Sequence, residues 1–152
     1  MKNVTGIIIL LVFVFISMMG CQDVTVGYLM TSNATYTPDS MVVKAVLDPV
    51  EDERQIKFEI PWQSAPIEGV QGTFPMVYSI KSVASDNGHP EVASQFTVAR
   101  KGVIELPWNH TVPPGRYVFT LEVSNEGYTR VLDSIYTAVS YTHLTLPTKR
   151  IV

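Results

Sequence analysis

Two short segments of the chain repeat one order of residue types: Ile60-Pro61-Trp62-Gln63 and Leu106-Pro107-Trp108-Asn109. Each is the apolar end of a strand-like run, then a proline, a tryptophan and a side-chain amide. A tryptophan ring held at a surface can stack on the apolar face of a sugar ring, while an amide that both donates and accepts hydrogen bonds reads the hydroxyls. Proline stiffens such a segment and lowers the ordering cost of binding. Trp62, Gln63, Trp108 and Asn109 are therefore the candidate glycan-binding residues. The competing reading has each ring fold back over the open end of a sheet, buried, with its indole N–H satisfied. Trp62 stands beside the longer irregular stretch, 61–75, and is the stronger candidate of the two.

Other chemistry is sparse. The acidic run Glu51-Asp52-Glu53, with Asp48 nearby, lacks the alternating carboxylate spacing of a calcium loop and reads as a turn of solvated charge. His89 and His110 have no partner at metal-ligand spacing and are expected on surface loops. Glu59 and Glu105 lie beside the two Pro-Trp segments, yet both read as outward-facing strand residues. Neither a nucleophile with its base nor a recognisable pair of catalytic carboxylates is present, and no Gly-rich phosphate loop occurs. No catalytic residue, metal or cofactor is expected.

The elements that must carry these residues are strands. Period-two runs recur along the chain, and sustained helical spacing does not. Strands are predicted over residues 24–30, 41–48, 54–60, 76–84, 93–98, 102–106, 116–124 and 128–137. The clearest is Arg116 to Ser124, where Tyr117, Phe119, Leu121 and Val123 share one face that must be core. Pro113-Pro114-Gly115 supplies a turn before it and Asn125-Glu126-Gly127 a hairpin turn after it. Seven to eight short strands in about this length predict an all-β fold, an antiparallel Ig-like sandwich, with a barrel as the alternative. The paired cysteines of antibody domains are absent.

The N-terminus is built as an export signal: Met1-Lys2-Asn3, then an apolar run from Gly6 to Met19, then Gly20-Cys21. Met18-Met19-Gly20-Cys21 resembles the bacterial lipobox, which implies cleavage between Gly20 and Cys21 and lipidation of Cys21 as a membrane anchor. Cys21 is the single cysteine, so neither a disulfide nor a cysteine metal site is available. Residues 21–137 hold eight Lys and Arg against fourteen Asp and Glu, a net charge of −6 that argues against a nucleic-acid partner. Gln22-Asp23 resembles the export signal of Bacteroidota surface lipoproteins, which implies the outer membrane and its cell-surface side, with the periplasmic side as the alternative. Asp39-Ser40-Met41 and Asp133-Ser134-Ile135 resemble the O-glycosylation motif of exported Bacteroidota proteins and make Ser40 and Ser134 candidate modification sites.

The C-terminal stretch breaks the alternation. Read back into codons, Val139 to Thr148 resembles the Nextera transposon-end sequencing adaptor translated in one frame, and the preceding adaptor bases would complete the codon of Ala138. Native sequence is then expected to stop at Thr137 and the gene to continue beyond it. The alternative is a genuine last strand in which Tyr141, Leu144 and Leu146 pack. The expected organisation is a signal peptide over 1–20, a lipidated N-terminus, first strand and tether over 21–37, a sandwich over 38–137, and an adaptor-derived tail over 138–152.

Val103-Ile104-Glu105-Leu106-Pro107, followed by Pro114-Gly115-Arg116-Tyr117-Val118-Phe119 and a final strand, resembles the closing half of cadherin-like or Ig-like domains in Bacteroidota surface lipoproteins. That resemblance covers residues 102–137 and implies a place in glycan capture and utilisation. The expected role is a non-catalytic glycan-binding or spacer module with a polysaccharide and outer-membrane proteins as partners. Two alternatives stand beside it: a structural or adhesin subunit assembling by strand pairing, and the N-terminal stalk of a glycoside hydrolase.

Overall fold

The computed structural model describes residues 27–142 and, before them, Gly6 alone. The expected signal peptide apart from Gly6, the expected lipidation site Cys21, the first residues of the strand expected over 24–30 and the tail from residue 143 onward lie outside the described residues. The strands are β1 (Leu29–Met30), β2 (Ser40–Lys44), β3 (Trp62–Gln63), β4 (Gln71–Gly72), β5 (Val77–Ser85), β6 (Thr97–Val98), β7 (Ile104–Leu106), β8 (Gly115–Asn125) and β9 (Tyr128–Tyr141). One short helix, α1 (Glu53–Lys57), interrupts them between β2 and β3.

They form an all-β sandwich of Ig-like order. One sheet runs β2-β9-β8-β5, the facing one β3-β7-β6, and β1-β4 makes a small ribbon of its own. Taken along the chain, β2, β3 and β5 to β9 occupy the places of strands A to G, so that B-E-D faces C-F-G. The expected antiparallel pattern needs one amendment. Strand β2 runs parallel to β9, with Ser40 opposite Thr137 and Lys44 opposite Tyr141, while the other strand pairs are antiparallel.

The core lies where the alternation of β8 put it. Tyr117, Phe119, Leu121 and Val123 are wholly buried, and the residues between them are partly exposed. Against them pack Leu132, Tyr136 and Ala138 of β9 and Ile104 and Leu106 of the facing sheet. Phe96 meets Phe119 edge-on at 4.8 Å between ring centres, and Tyr36 leans on Tyr136 at 4.7 Å. Each fully buried side chain of this size contributes roughly 1.5–3 kcal/mol of transfer free energy. With no disulfide in reach, this packing is what holds the sheets together.

One contact ties the local sequence to the fold type. Tyr117, near the start of β8, donates its hydroxyl to the Pro113 carbonyl at 2.9 Å and accepts from Asn87 Nδ2 at 2.6 Å. A tyrosine at the start of the sixth strand bonding back to the chain a few residues upstream is the tyrosine corner of Greek-key sandwiches. Gly115 passes so close to Asn87 that a side chain in its place would collide with Nδ2.

Several expectations change. The segment 54–60, predicted as a strand, instead forms α1 and an exposed turn. Ile56, Phe58 and Ile60 do alternate, but no neighbouring strand pairs with them, and Phe58 is 65% exposed. Local side chains close the segment instead: Asp48 Oδ1 accepts from the amides of Val50 and Glu51, Asp52 Oδ2 accepts from the Asp48 amide, and Lys44 Nζ reaches both Asp52 oxygens at 2.8 Å. The strand expected at 93–98 begins as a 3-10 turn, Pro90–Gln95, leaving only β6 extended. Leu29, in the expected first strand, faces the core from β1, and Tyr36, expected in a tether, is a core residue. His110, expected on the surface, is buried and its Nδ1 accepts from the Val112 amide. Strand β9 runs on past Thr137 to Tyr141, with Ala138 fully buried and Ser140 Oγ donating to the Val112 carbonyl. These residues fold as the end of the last strand whatever their coding origin.

Candidate functional site

The two Pro-Trp segments are neighbours. Pairing of β3 with β7 sets Trp62 opposite Leu106 and Gln63 opposite Glu105, so in the same register Pro61 stands across from Pro107. Proline has no N–H to give to a ladder, so both strands stop there and the chain opens. Two adjoining grooves result, and Pro61 lines both. The first, of about 380 Å³, is walled by Glu59, Thr97, Glu105, Trp108 and Asn109. The second, of about 420 Å³, is walled by Glu51, Asp52, Gln55, Trp62 and Gln63.

The two rings play different parts. Trp62 is half-buried against the core, and its indole N–H is enclosed without a hydrogen-bond partner. Trp108 is half-buried at the groove wall, between exposed Pro107 and exposed Asn109. Each ring thus lines one groove, Trp108 the first and Trp62 the second, and Trp62 also packs against the core. Gln63 is exposed, and its Nε2 donates to Glu105 Oε1 at 2.7 Å, which fixes both polar tips along the shared wall. Asn109 remains exposed at the other end.

Glu59 joins the site unexpectedly. It is not an outward-facing strand residue but the residue that ends α1, with φ of +52°. Its amide bonds the Ile56 carbonyl at 3.3 Å, and the Ile60 amide bonds the Gln55 carbonyl at 3.0 Å. This is a Schellman stop, whose left-handed position glycine fills at least cost. A glutamate there carries backbone strain and delivers a carboxylate to the first groove. The sequence signal was available only in part: a helix stop without glycine is not readable until the helix itself is known.

The second groove has its own charges. Lys44 holds the Asp52 carboxyl below its ordinary range, chiefly through their hydrogen bond, and the same contact raises Lys44. Glu51 approaches Lys44 at 3.5 Å. His110 is lowered by burial, an effect the Lys44 backbone opposes. His89 is exposed and pairs with Glu91 at 2.8 Å, away from both grooves. Among the described residues no group of three or more His, Cys, Asp or Glu is placed to hold a metal ion.

The candidate modification sites are both accessible. Ser40 is exposed at the first position of β2. Ser134 lies inside β9 but on a bulge, exposed, with φ of +49° and its amide turned to Thr120 Oγ1 at 3.3 Å. The bulge removes Ser134 from the regular ladder, so its place in a strand does not shield it.

The grooves sit at one end of the sandwich. Lys44, Gly115 and the end of β9 meet there, as the pairs Lys44–Tyr141 and Gly115–Ser140 show. Gly27 and Tyr28 lie at the other end, where Asn125 Nδ2 donates to the Tyr28 carbonyl at 2.8 Å. Eleven residues of β8 separate the two ends, about 35 Å of extended chain. No protein-family model, curated protein or solved structure matches this chain.

Proposed function

We propose that this chain is a non-catalytic, lipid-anchored cell-surface module that holds a glycan at the end of its sandwich remote from the anchor. The observation that carries the reading is the juxtaposition of the two Pro-Trp segments by the β3–β7 register. A ring wall, Trp108, stands with an amide, Asn109, and two carboxylates, Glu59 and Glu105, around one open groove. Aromatic stacking with hydroxyl-reading amides and acids beside it suits a neutral or amino-bearing sugar better than an acidic one. The anchor at Cys21, after cleavage at Gly20, would place that groove outward on the outer membrane.

The test is retention of the chain in native gels cast with a panel of polysaccharides. Trp108→Ala is expected to weaken retention on the bound glycan by about 1–3 kcal/mol, the scale of one aromatic stacking contact. Asn109→Ala should weaken it less, and Trp62→Ala should act mainly through stability. Unchanged retention after Trp108→Ala removes the groove from consideration.

A second reading has one observation in its favour. Strand β5 is a nine-residue edge, paired on one side by β8 alone, and could add to a partner strand. A bulge between Ile80 and Ser82, with Lys81 exposed at it, works against such pairing, as edge devices do. A chain that oligomerises at high concentration and ignores every polysaccharide would favour this reading over glycan capture.

A further inference from the structure

The end of the sandwich that begins the described chain carries apolar side chains left exposed among the described residues. In the β1–β4 ribbon Leu29 turns inward to the core, so Tyr28 and Met30 turn outward, 49% and 55% exposed. Beside them Phe74 is 83% exposed and Val77 58% exposed. Asn125 Nδ2 clamps this corner by donating to the Tyr28 carbonyl, the Thr73 carbonyl and Thr73 Oγ1, so the β8–β9 turn braces the ribbon. The aromatic pair Tyr28 and Phe74 is therefore presented on a fixed base rather than on a free loop.

We infer that this corner seats on the lipid bilayer to which Cys21 anchors the chain. The inference rests on the lipid-anchor part of the proposed function. Only residues 22–26 separate Cys21 from Gly27. Six peptide spacings reach about 20 Å at full extension, so the exposed corner cannot leave the neighbourhood of the headgroups. Tyrosine favours that interfacial layer, with its apolar body inward and its hydroxyl wet, and phenylalanine gains by entering it. An apolar corner confined this close to a bilayer meets lipid at a high effective concentration, which lets even two side chains hold an orientation. With the corner seated, β8 and β9 stand away from the membrane and the grooves face outward.

The experiment uses the full lipid-modified chain in vesicles of phosphatidylethanolamine and phosphatidylglycerol, with and without brominated acyl chains as quenchers. Tyr28→Trp reports on the seated corner, and Val50→Trp, an exposed position in the segment before α1, reports on the far end. The unsubstituted chain, with Trp62 and Trp108 remote from the corner, supplies the background. Bromolipid should quench the Tyr28→Trp signal and spare the Val50→Trp signal. Adding Phe74→Ser to the reporter should shift the seated-to-lifted ratio on the order of tenfold, the scale of one buried aromatic side chain. Equal quenching at both reporters in a chain that floats with the vesicles overturns the seat and leaves the anchor standing. A chain that fails to float overturns the anchor and the seat with it. A blue-shifted but unquenched Tyr28→Trp signal that grows with surface density assigns the corner to a second copy and also overturns the seat.

Discussion

Replacing Tyr117 by phenylalanine isolates the contact that ties sequence to fold type. The ring stays wholly buried among Phe96 and the β8 core, so the substitution leaves the packing intact and removes one oxygen. That oxygen donates to the Pro113 carbonyl and accepts from Asn87 Nδ2. Asn87 keeps its second bond, to the Pro114 carbonyl at 2.9 Å, and half-exposed Pro113 can turn to water. The cost is therefore near that of net hydrogen bonds rather than of stranded buried groups, about 1–2 kcal/mol in all. For a domain of this size that is a fall in Tm on the order of 5–10 °C. The assay is thermal and guanidinium unfolding of the Cys21→Ser chain followed by circular dichroism, with Tyr28→Phe at an exposed position as the control. Combining Tyr117→Phe with Asn87→Ala should cost less than the two separately, because they share one bond. A Tyr117→Phe chain as stable as its parent, or strict additivity with Asn87→Ala, would refute the corner as a structural tie.

Three other outcomes follow from the site and its surroundings. His110 is held below its ordinary pKa by burial, so the unfolded chain takes up a proton first as pH falls. Stability should decline as pH drops from about 7 through the ordinary imidazole range near 6.5 toward the lowered folded value, and His110→Gln should flatten that decline in melting curves. Glu59→Gly relieves a left-handed glutamate at the end of α1 and should hold or raise Tm, while weakening glycan retention if the first groove binds. A loss of stability would show that Glu59 serves the fold instead. Trp62→Ala should cost on the order of 2 kcal/mol, less than the roughly 3–5 kcal/mol of a fully buried aromatic, and Trp108→Ala clearly less than Trp62→Ala. Equal losses at the two positions would contradict their different packing.

The sequence alone determined what depends on neighbours along the chain. The alternation of Tyr117, Phe119, Leu121 and Val123, bounded by Pro113-Pro114-Gly115 and Asn125-Glu126-Gly127, fixed β8, its buried face and its hairpin with β9, because side chains two apart share a face in any strand. The number of such runs fixed the sandwich. What the pattern could not carry was whether a partner would arrive. Residues 54–60 alternate as well as β8 does, yet no strand pairs with them, and the aspartates before them close a helical turn instead. His110 looked like a loop residue because burial is conferred by the sheets around it. Both Pro-Trp segments were legible as chemistry, but their meeting depends on the register of β3 against β7, residues more than forty positions apart. That pairing, through an interaction no local run of residues encodes, decided that the two rings line adjoining grooves, that Trp62 also packs on the core, and that Glu59 stands beside Trp108.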